Sequence, residues 1–219
     1  QIPFGMNQIF VWQPGELAVA AELCEDLWVP NPPSTECAMA GANVIVNLSA
    51  SDEVTGKSGY RRTLVSSQSA RLICGYIYAS AGEGESSQDL VFGGHNLIAE
   101  NGTILGESPR FTTGILYGEL DVRRLRAERR RMTTFGSGIK PYVRTPFELE
   151  WEETRLTRNF DPRPFVPSGR EDRERRCQEI LTIQAMGLKK RLEHTGCRHI
   201  VVGISGGLDS TLALLVIVK

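Results

Sequence analysis

The sequence predicts an α/β protein built as two layered domains. Three observations carry this. Strand-length apolar runs alternate with helix-period segments over residues 15–120, a proline-rich stretch follows, and beyond it an apolar run, a glycine-rich loop and a second apolar run come in immediate succession. The chain has 219 residues, 41% of them apolar and 23% charged. A chain of that length and composition can bury a core. A formal net charge of −1 gives no global attraction to nucleic acid or to an anionic bilayer.

Taken in order, a strand is expected close behind Gln1, then Gly15–Leu23 (GELAVAAEL) as a strand ending at Cys24. Residues 35–41 read as a short helix, and Asn43–Leu48 (NVIVNL) as a buried strand. Arg61–Leu72 carries Leu64, Ala70 and Leu72 at helical spacing, and 75–79 (GYIYA) returns to strand character. The dipeptide Asn101-Gly102 between two apolar runs is the signature of a two-residue hairpin. Residues 115–120 give one more strand, and Asp121 is placed to cap the arginine-rich helix after it. Together these make a layered domain with a mixed sheet.

Fourteen arginines lie between Arg123 and Arg176, interleaved with nine acidic residues. That mixed-sign pattern describes a solvated helix and a linker, not a nucleic-acid-binding arm. Five prolines between Pro141 and Pro167 suit an extended connector. The expected organisation is residues 1–134 for the first domain, 135–168 for the connector and 169–219 for the beginning of the second. Both ends read as cut, so the sequence is expected to be part of a longer protein. Five scattered cysteines, without CxxC pairs, point to free thiols in a reducing, cytoplasmic setting and away from zinc. No apolar run is long enough to span a bilayer, so no membrane partner is expected.

In the second domain, Arg170–Glu193 is helical and ends at Gly196. A strand at His199–Ile204, including Gly203, then delivers Ser205-Gly206-Gly207-Leu208-Asp209-Ser210 to a sheet edge, and Thr211 opens a helix. Two glycines permit close backbone approach, and the helix begins with free N–H groups and a positive dipole end. That combination forms an anion cradle, to which Ser205, Ser210 and Thr211 add hydroxyls. A Gly-Lys-Ser/Thr sequence is missing, so the loop is not of the Walker A type. The plain alternative is a tight strand-to-helix turn with no ligand.

Cys24, in Glu22-Leu23-Cys24-Glu25-Asp26-Leu27-Trp28, ends an apolar strand. A strand-to-turn elbow exposes a nucleophile and directs the next backbone N–H at a developing oxyanion. Taken alone, a cysteine on a strand is more often a small buried hydrophobe. Its acidic neighbours oppose thiolate formation, so catalysis would need an activating cation. Cys37 and Cys74 read as core, and Cys177 and Cys197 lie near helix ends. Glu83 and Glu85 read as surface loop, and Arg61-Arg62 as a solvated helix turn or a subunit contact. His95 and His199, without a partner at ligand spacing, are given no catalytic role.

A longer set of residues carries a family resemblance. Ile2-Pro3-Phe4-Gly5, Cys24 through Pro30, Ala42 through Ser49, Tyr78 through Ser86, Arg131 through Phe135, Pro164 through Pro167 and the SGGLDS loop occur here in the order in which glutamine-dependent NAD+ synthetases carry them. The chain resembles that family over nearly its whole length. The resemblance implies the C-terminal part of a nitrilase-like α-β-β-α sandwich (the glutaminase domain), followed by the start of a doubly wound, Rossmann-like adenine nucleotide domain of the ATP-pyrophosphatase type. It implies a carbon–nitrogen ligase with glutamine as amide donor, in which Cys24 attacks glutamine and Ser51 and Lys57 contact it. ATP would rest on Gly203 and on Ser205 through Thr211, with Mg2+ assisted by Asp209. Deamido-NAD+ and glutamine would be the small-molecule substrates, and a homo-oligomer the full-length form.

The family's activating Glu and Lys precede the matched region. No lysine occurs before Cys24, and Glu16 and Glu22 both lie in the strand leading to it. The chain alone is therefore expected not to hydrolyse glutamine. Three other readings stay open at this point: another glutamine-fed adenylating ligase, a non-catalytic nucleotide-binding fragment, and a free-standing amidase.

Overall fold

A computed structural model describes residues 4–85, 89–136, 141–150, 152 and 154–219. Ile2, Pro3 and Ser86 of the quoted motifs lie outside the described residues. The chain divides into two compact units, 1–158 and 159–219.

The first unit is a seven-stranded sheet ordered β6-β5-β4-β3-β2-β1-β7. Strands β1 (Gln8–Trp12) and β2 (Leu17–Leu23) pair antiparallel. Then β2, β3 (Val44–Ser49) and β4 (Gly75–Ser80) run parallel, joined by helices α1 (Pro33–Met39) and α2 (Lys57–Leu72). Successive parallel crossovers in one direction along the sheet, right-handed as a rule, place both helices on one face. There Ile9, Val11, Ala20, Ile45, Tyr76 and Leu97 close over Cys37, Val65, Leu72 and Cys74 in a single core. The opposite face leaves Phe10, Leu23 and Leu48 exposed. One helical layer and one apolar sheet face constitute the α-β half of a four-layer α-β-β-α sandwich.

Strands β5 (Leu97–Glu100) and β6 (Thr103–Glu107) form the hairpin that Asn101-Gly102 announces. Both turn residues take positive φ, 44° and 88°. The two-residue turn requires that conformation at both of its central positions. Helix α3 (Val122–Arg131) is capped by Asp121, whose Oδ1 accepts from the Arg124 amide at 2.9 Å.

In the first unit four readings change. Residues 115–120 form no strand: Leu120 lies over Gly75 and Leu116 over Gly106, on a face of the sheet and so out of the plane in which ladder hydrogen bonds form. Strand β7 (Val143–Pro146) lies inside the stretch expected to be an extended connector, and pairs parallel with β1. The arginine-rich helix is only partly solvated. Arg129 is stacked on Phe135 and donates to the carbonyls of Leu72, Ile73 and Ala42 at 2.7–3.1 Å, satisfying the C-terminal end of α2. Burial pulls its pKa below the usual arginine value. Arg61 is no surface residue either: it is fully buried.

In the second unit, α4 (Arg170–Thr195) ends on Gly196 at φ 69°, and α5 (Leu208–Val218) follows the glycine loop. Residues 199–204, expected as a strand, form none. A strand is defined by its ladder, and among the described residues of 159–219 no second extended segment pairs with it. Among the described residues, no helix is long and apolar enough to cross a membrane.

Candidate active site

In open α/β sheets ligands bind outside the carboxyl ends of the parallel strands. Strand β2 ends at Leu23, in register with Leu48 of β3, and Ser49 of β3 is in register with Ser80 of β4. Cys24 therefore emerges beside Ser49 at this edge.

Cys24 does not continue the strand. Its φ is 41°, in the left-handed region. A residue with a Cβ adopts that conformation at a cost of roughly 1–2 kcal/mol. A short 3-10 turn, Cys24–Leu27, starts there, and Asp26 Oδ2 accepts from the Leu23 amide at 2.8 Å. The reversal leaves the cysteine half-buried at the end of the strand. This is the elbow the sequence suggested, with the strain that such a turn requires.

The other residues assigned from sequence lie between the end of β3 and the start of α2. Ser51 is buried and receives Arg61 Nη2 at 3.5 Å. Lys57, the first residue of α2, pairs with Asp52 Oδ1 at 2.7 Å and lies 5.6 Å from the Trp28 ring centre. Trp28 in turn packs on Tyr60, ring centres 5.4 Å apart. The Lys57 ammonium, first by hydrogen bond and then by charge, holds the Asp52 carboxyl below its ordinary range. Ser51, Lys57 and Trp28 thus belong to one neighbourhood through Arg61, Asp52 and the short turn after Cys24.

The residues the sequence reading undervalued form its frame. Arg61 donates to Glu53 Oε1 at 2.6 Å and to His95 Nδ1 at 3.0 Å, and His95 Nε2 reaches Glu107 Oε1 at 2.8 Å. Because arginine only donates, Nδ1 must accept, and Nε2 carries the proton toward Glu107. Burial alone would push the Glu107 carboxyl up, but hydrogen bonds from His95 and Arg62 outweigh it and draw it down. His95 is a structural bridge between α2 and the β5–β6 hairpin. Period-two alternation along β2, with Ala18, Ala20 and Glu22 all facing inward, is the signal that could have placed Glu22 in the core. Glu83 and Glu85 are exposed, as expected. Cys37 and Cys74 are buried, and burial raises both thiols, Cys74 to about 12.

In the second unit, Gly206 takes φ 82° and Gly207 caps α5. Gly207 N donates to Ser205 Oγ at 3.4 Å, Ser205 Oγ lies 3.2 Å from Ser210 Oγ, and Thr211 Oγ1 donates to Gly207 O at 2.9 Å. Gly203, Leu208 and Asp209 are exposed, the last in the first turn of α5. The loop's hydroxyls are gathered at a helix N-terminus. One carboxylate with hydroxyl oxygens suits a hard divalent cation only if phosphate oxygens complete its shell. Among the described residues no group of three or more acidic, His or Cys side chains could hold a metal by itself.

Residues 3–130 match the family model described as carbon-nitrogen hydrolase. Over 98% of its length the chain is 41% identical to a glutamine-dependent NAD(+) synthetase of Mycobacterium leprae and 40% identical to one of Mycobacterium tuberculosis. It is 28% identical over 95% of its length to that of Homo sapiens. The chain spans about a third of the length of these curated relatives, 33%, 33% and 29% respectively. A solved glutamine-dependent NAD+ synthetase from Acinetobacter baumannii aligns with 50% of this chain and 20% of its own at 24% identity and a TM-score of 0.45, too loose a superposition to bear on function.

Proposed function

We propose that this chain, which belongs to the carbon–nitrogen hydrolase family, is the segment of a glutamine-hydrolysing NAD+ synthase that joins its amidase domain to the start of its ATP-binding domain (169–219). The observation that carries the reading is the elbow at Cys24: a cysteine in strained backbone at the carboxyl edge of parallel strands, within a chain 41% identical to a glutamine-dependent NAD(+) synthetase over 98% of its length.

In this reading Cys24 Sγ attacks the side-chain carbonyl carbon of glutamine. The carbonyl oxygen takes the charge, ammonia leaves with the proton delivered by a general acid, and a thioester remains. Water then attacks the thioester, releasing glutamate and restoring the thiol. Ser51 and Lys57 help hold glutamine beside Cys24, Lys57 anchored by Asp52. The acid–base Glu and the oxyanion-supporting Lys of the family precede the matched region, and residues 1–23 contain no lysine.

The Ser205–Thr211 loop would seat the phosphates of ATP on the backbone N–H groups that open α5. Mg2+, when bound, would neutralise phosphate charge, with Asp209 as its one protein carboxylate. The ammonia freed at Cys24 would then attack the adenylated carboxyl carbon of deamido-NAD+, with AMP leaving as the amide forms.

The test is ammonia release from glutamine. The isolated chain should give none, whereas the complete gene product should release ammonia and lose at least about a thousandfold of that rate on Cys24→Ala, as removal of a covalent nucleophile does. Undiminished release by the Cys24→Ala enzyme would refute the assignment.

A further inference from the structure

Behind Cys24 runs a buried polar chain that the amidase steps above leave unused. Glu22, two residues before the cysteine and 2% exposed, accepts from the Tyr76 hydroxyl and from the Ser34 amide, the latter at 2.8 Å. Asn47, fully buried on β3, directs Nδ2 to the Tyr76 hydroxyl at 3.3 Å and to the Cys24 carbonyl at 3.4 Å. A carbonyl can only accept, so the amide nitrogen of Asn47 must face Cys24. Asn47 Oδ1 is then left buried without a hydrogen-bond partner.

An orphaned acceptor is a poor choice for holding a core together, where an apolar side chain of similar size would serve better. Asn47 is explained by its donor, aimed at the one carbonyl that leaves the strand at the elbow. The alternation of β2 shows what that donor opposes. Ala18, Ala20 and Glu22 point inward, so an extended Cys24, continuing the β2–β3 ladder past Leu23 and Leu48, would point inward as well. The left-handed turn at φ 41° carries it off that course.

We infer that Glu22, Tyr76 and Asn47 are positioning residues that hold Cys24 in its left-handed conformation and thereby keep its thiol at the sheet edge. The chain is ordered from the inside outward: Ser34 and Glu22 fix the Tyr76 oxygen, Tyr76 fixes Asn47, and Asn47 fixes the Cys24 carbonyl. Burial, reinforced by Glu22, raises the Tyr76 hydroxyl well above its ordinary range, so it remains a donor throughout the working pH range. The inference rests on Cys24 being the nucleophile of the proposed amidase.

The five cysteines supply the test. Iodoacetamide labelling of this chain, mapped site by site, reads Cys24 against the exposed Cys177 and Cys197, while the buried Cys37 and Cys74 report whether the core is intact. Asn47→Ala should slow labelling of Cys24 about fivefold or more relative to Cys177, with Cys37 and Cys74 still protected, because access sets thiol reactivity alongside ionisation. Tyr76→Phe, which removes only the hydroxyl, should act in the same direction and serves where Asn47→Ala does not fold. A Cys24 rate within about twofold of the parent in both variants would overturn the inference, as would slowing seen only when Cys37 and Cys74 also become labelled. No glutamine is consumed in this assay. A complete enzyme that keeps its ammonia release after Cys24→Ala would therefore end the amidase reading while leaving the support of the elbow to be judged on the labelling alone.

Discussion

The elbow at Cys24 and the loop at Ser205–Thr211 are both turns that end an extended segment, yet they are held in opposite ways. The loop's hydrogen bonds join residues no more than five positions apart, as in Ser205 Oγ with Ser210 Oγ and Thr211 Oγ1 with Gly207 O. The elbow depends on Asn47, 23 positions along from Cys24, and behind it on Tyr76, 54 positions along from Glu22. One turn is written in a short run of sequence, whereas the other exists only when its strands and helices have assembled. A strained nucleophile needs this second kind of support, because local bonds alone would let it relax into the strand.

The largest effect that would break the contrast comes from removing the frame of the elbow. Arg61 is fully buried against Glu53, His95 and Ser51. Arg61→Met keeps much of the volume but strands Glu53, whose remaining cation among the described residues is Arg110 at 3.5 Å. Breaking a buried pair from one side costs about 3–5 kcal/mol. The urea midpoint of the first unit should fall accordingly. A loss under about 1 kcal/mol would mean that this network does not support the site.

A smaller effect sharpens the other side. Ser210 is half-buried and its hydroxyl bonds stay within the loop, so Ser210→Ala should lower stability by no more than about 1.5 kcal/mol. In the complete protein it should weaken ATP binding roughly tenfold in titration calorimetry, the worth of one hydroxyl bond to a charged phosphate. If stability falls and ATP binding does not, the loop's hydroxyls serve the turn alone.

The same contrast explains what could be read from sequence. Asn101-Gly102, the Asp121 cap and Gly196 are local signals, and each element stands where its signal put it. Residues 115–120 and 199–204 have strand composition but no ladder, since pairing depends on what else reaches them. Arg61 looks like a surface residue because helix periodicity tells which side faces inward but not that Glu53 and His95 wait there. The Cys24 elbow is only partly local: Asp26 accepts from the Leu23 amide three positions away, but Asn47 lies outside any short window of sequence. Its strand was legible and its φ was not, and the long resemblance around it supplied what spacing could not.

Lys57 offers the finest test, because it is a locally fixed residue inside the tertiary site. Its ammonium meets the carbonyl and carboxylate of Asp52, five positions earlier, at 2.8 and 2.7 Å. The Asp52 carboxyl is lowered from its ordinary 3.8 by that contact. A depressed carboxylate contributes stability that is fully present above the ordinary value and is lost as pH falls through the lowered one. At neutral pH the pair is therefore intact and Lys57 is held beside Trp28. Following the Asp52 carboxyl by NMR should give a titration midpoint below 3.8 in the parent chain and a return toward 3.8 in Lys57→Ala. The Arg61 charge also lowers this carboxyl, but less than the Lys57 contact does, so Arg61→Met should raise the midpoint by less than Lys57→Ala even as it loosens the frame around Cys24. If Arg61→Met instead raises the Asp52 midpoint as far as Lys57→Ala does, then Lys57 is positioned by the core as Cys24 is, and locality of sequence would not be what separates the two kinds of support.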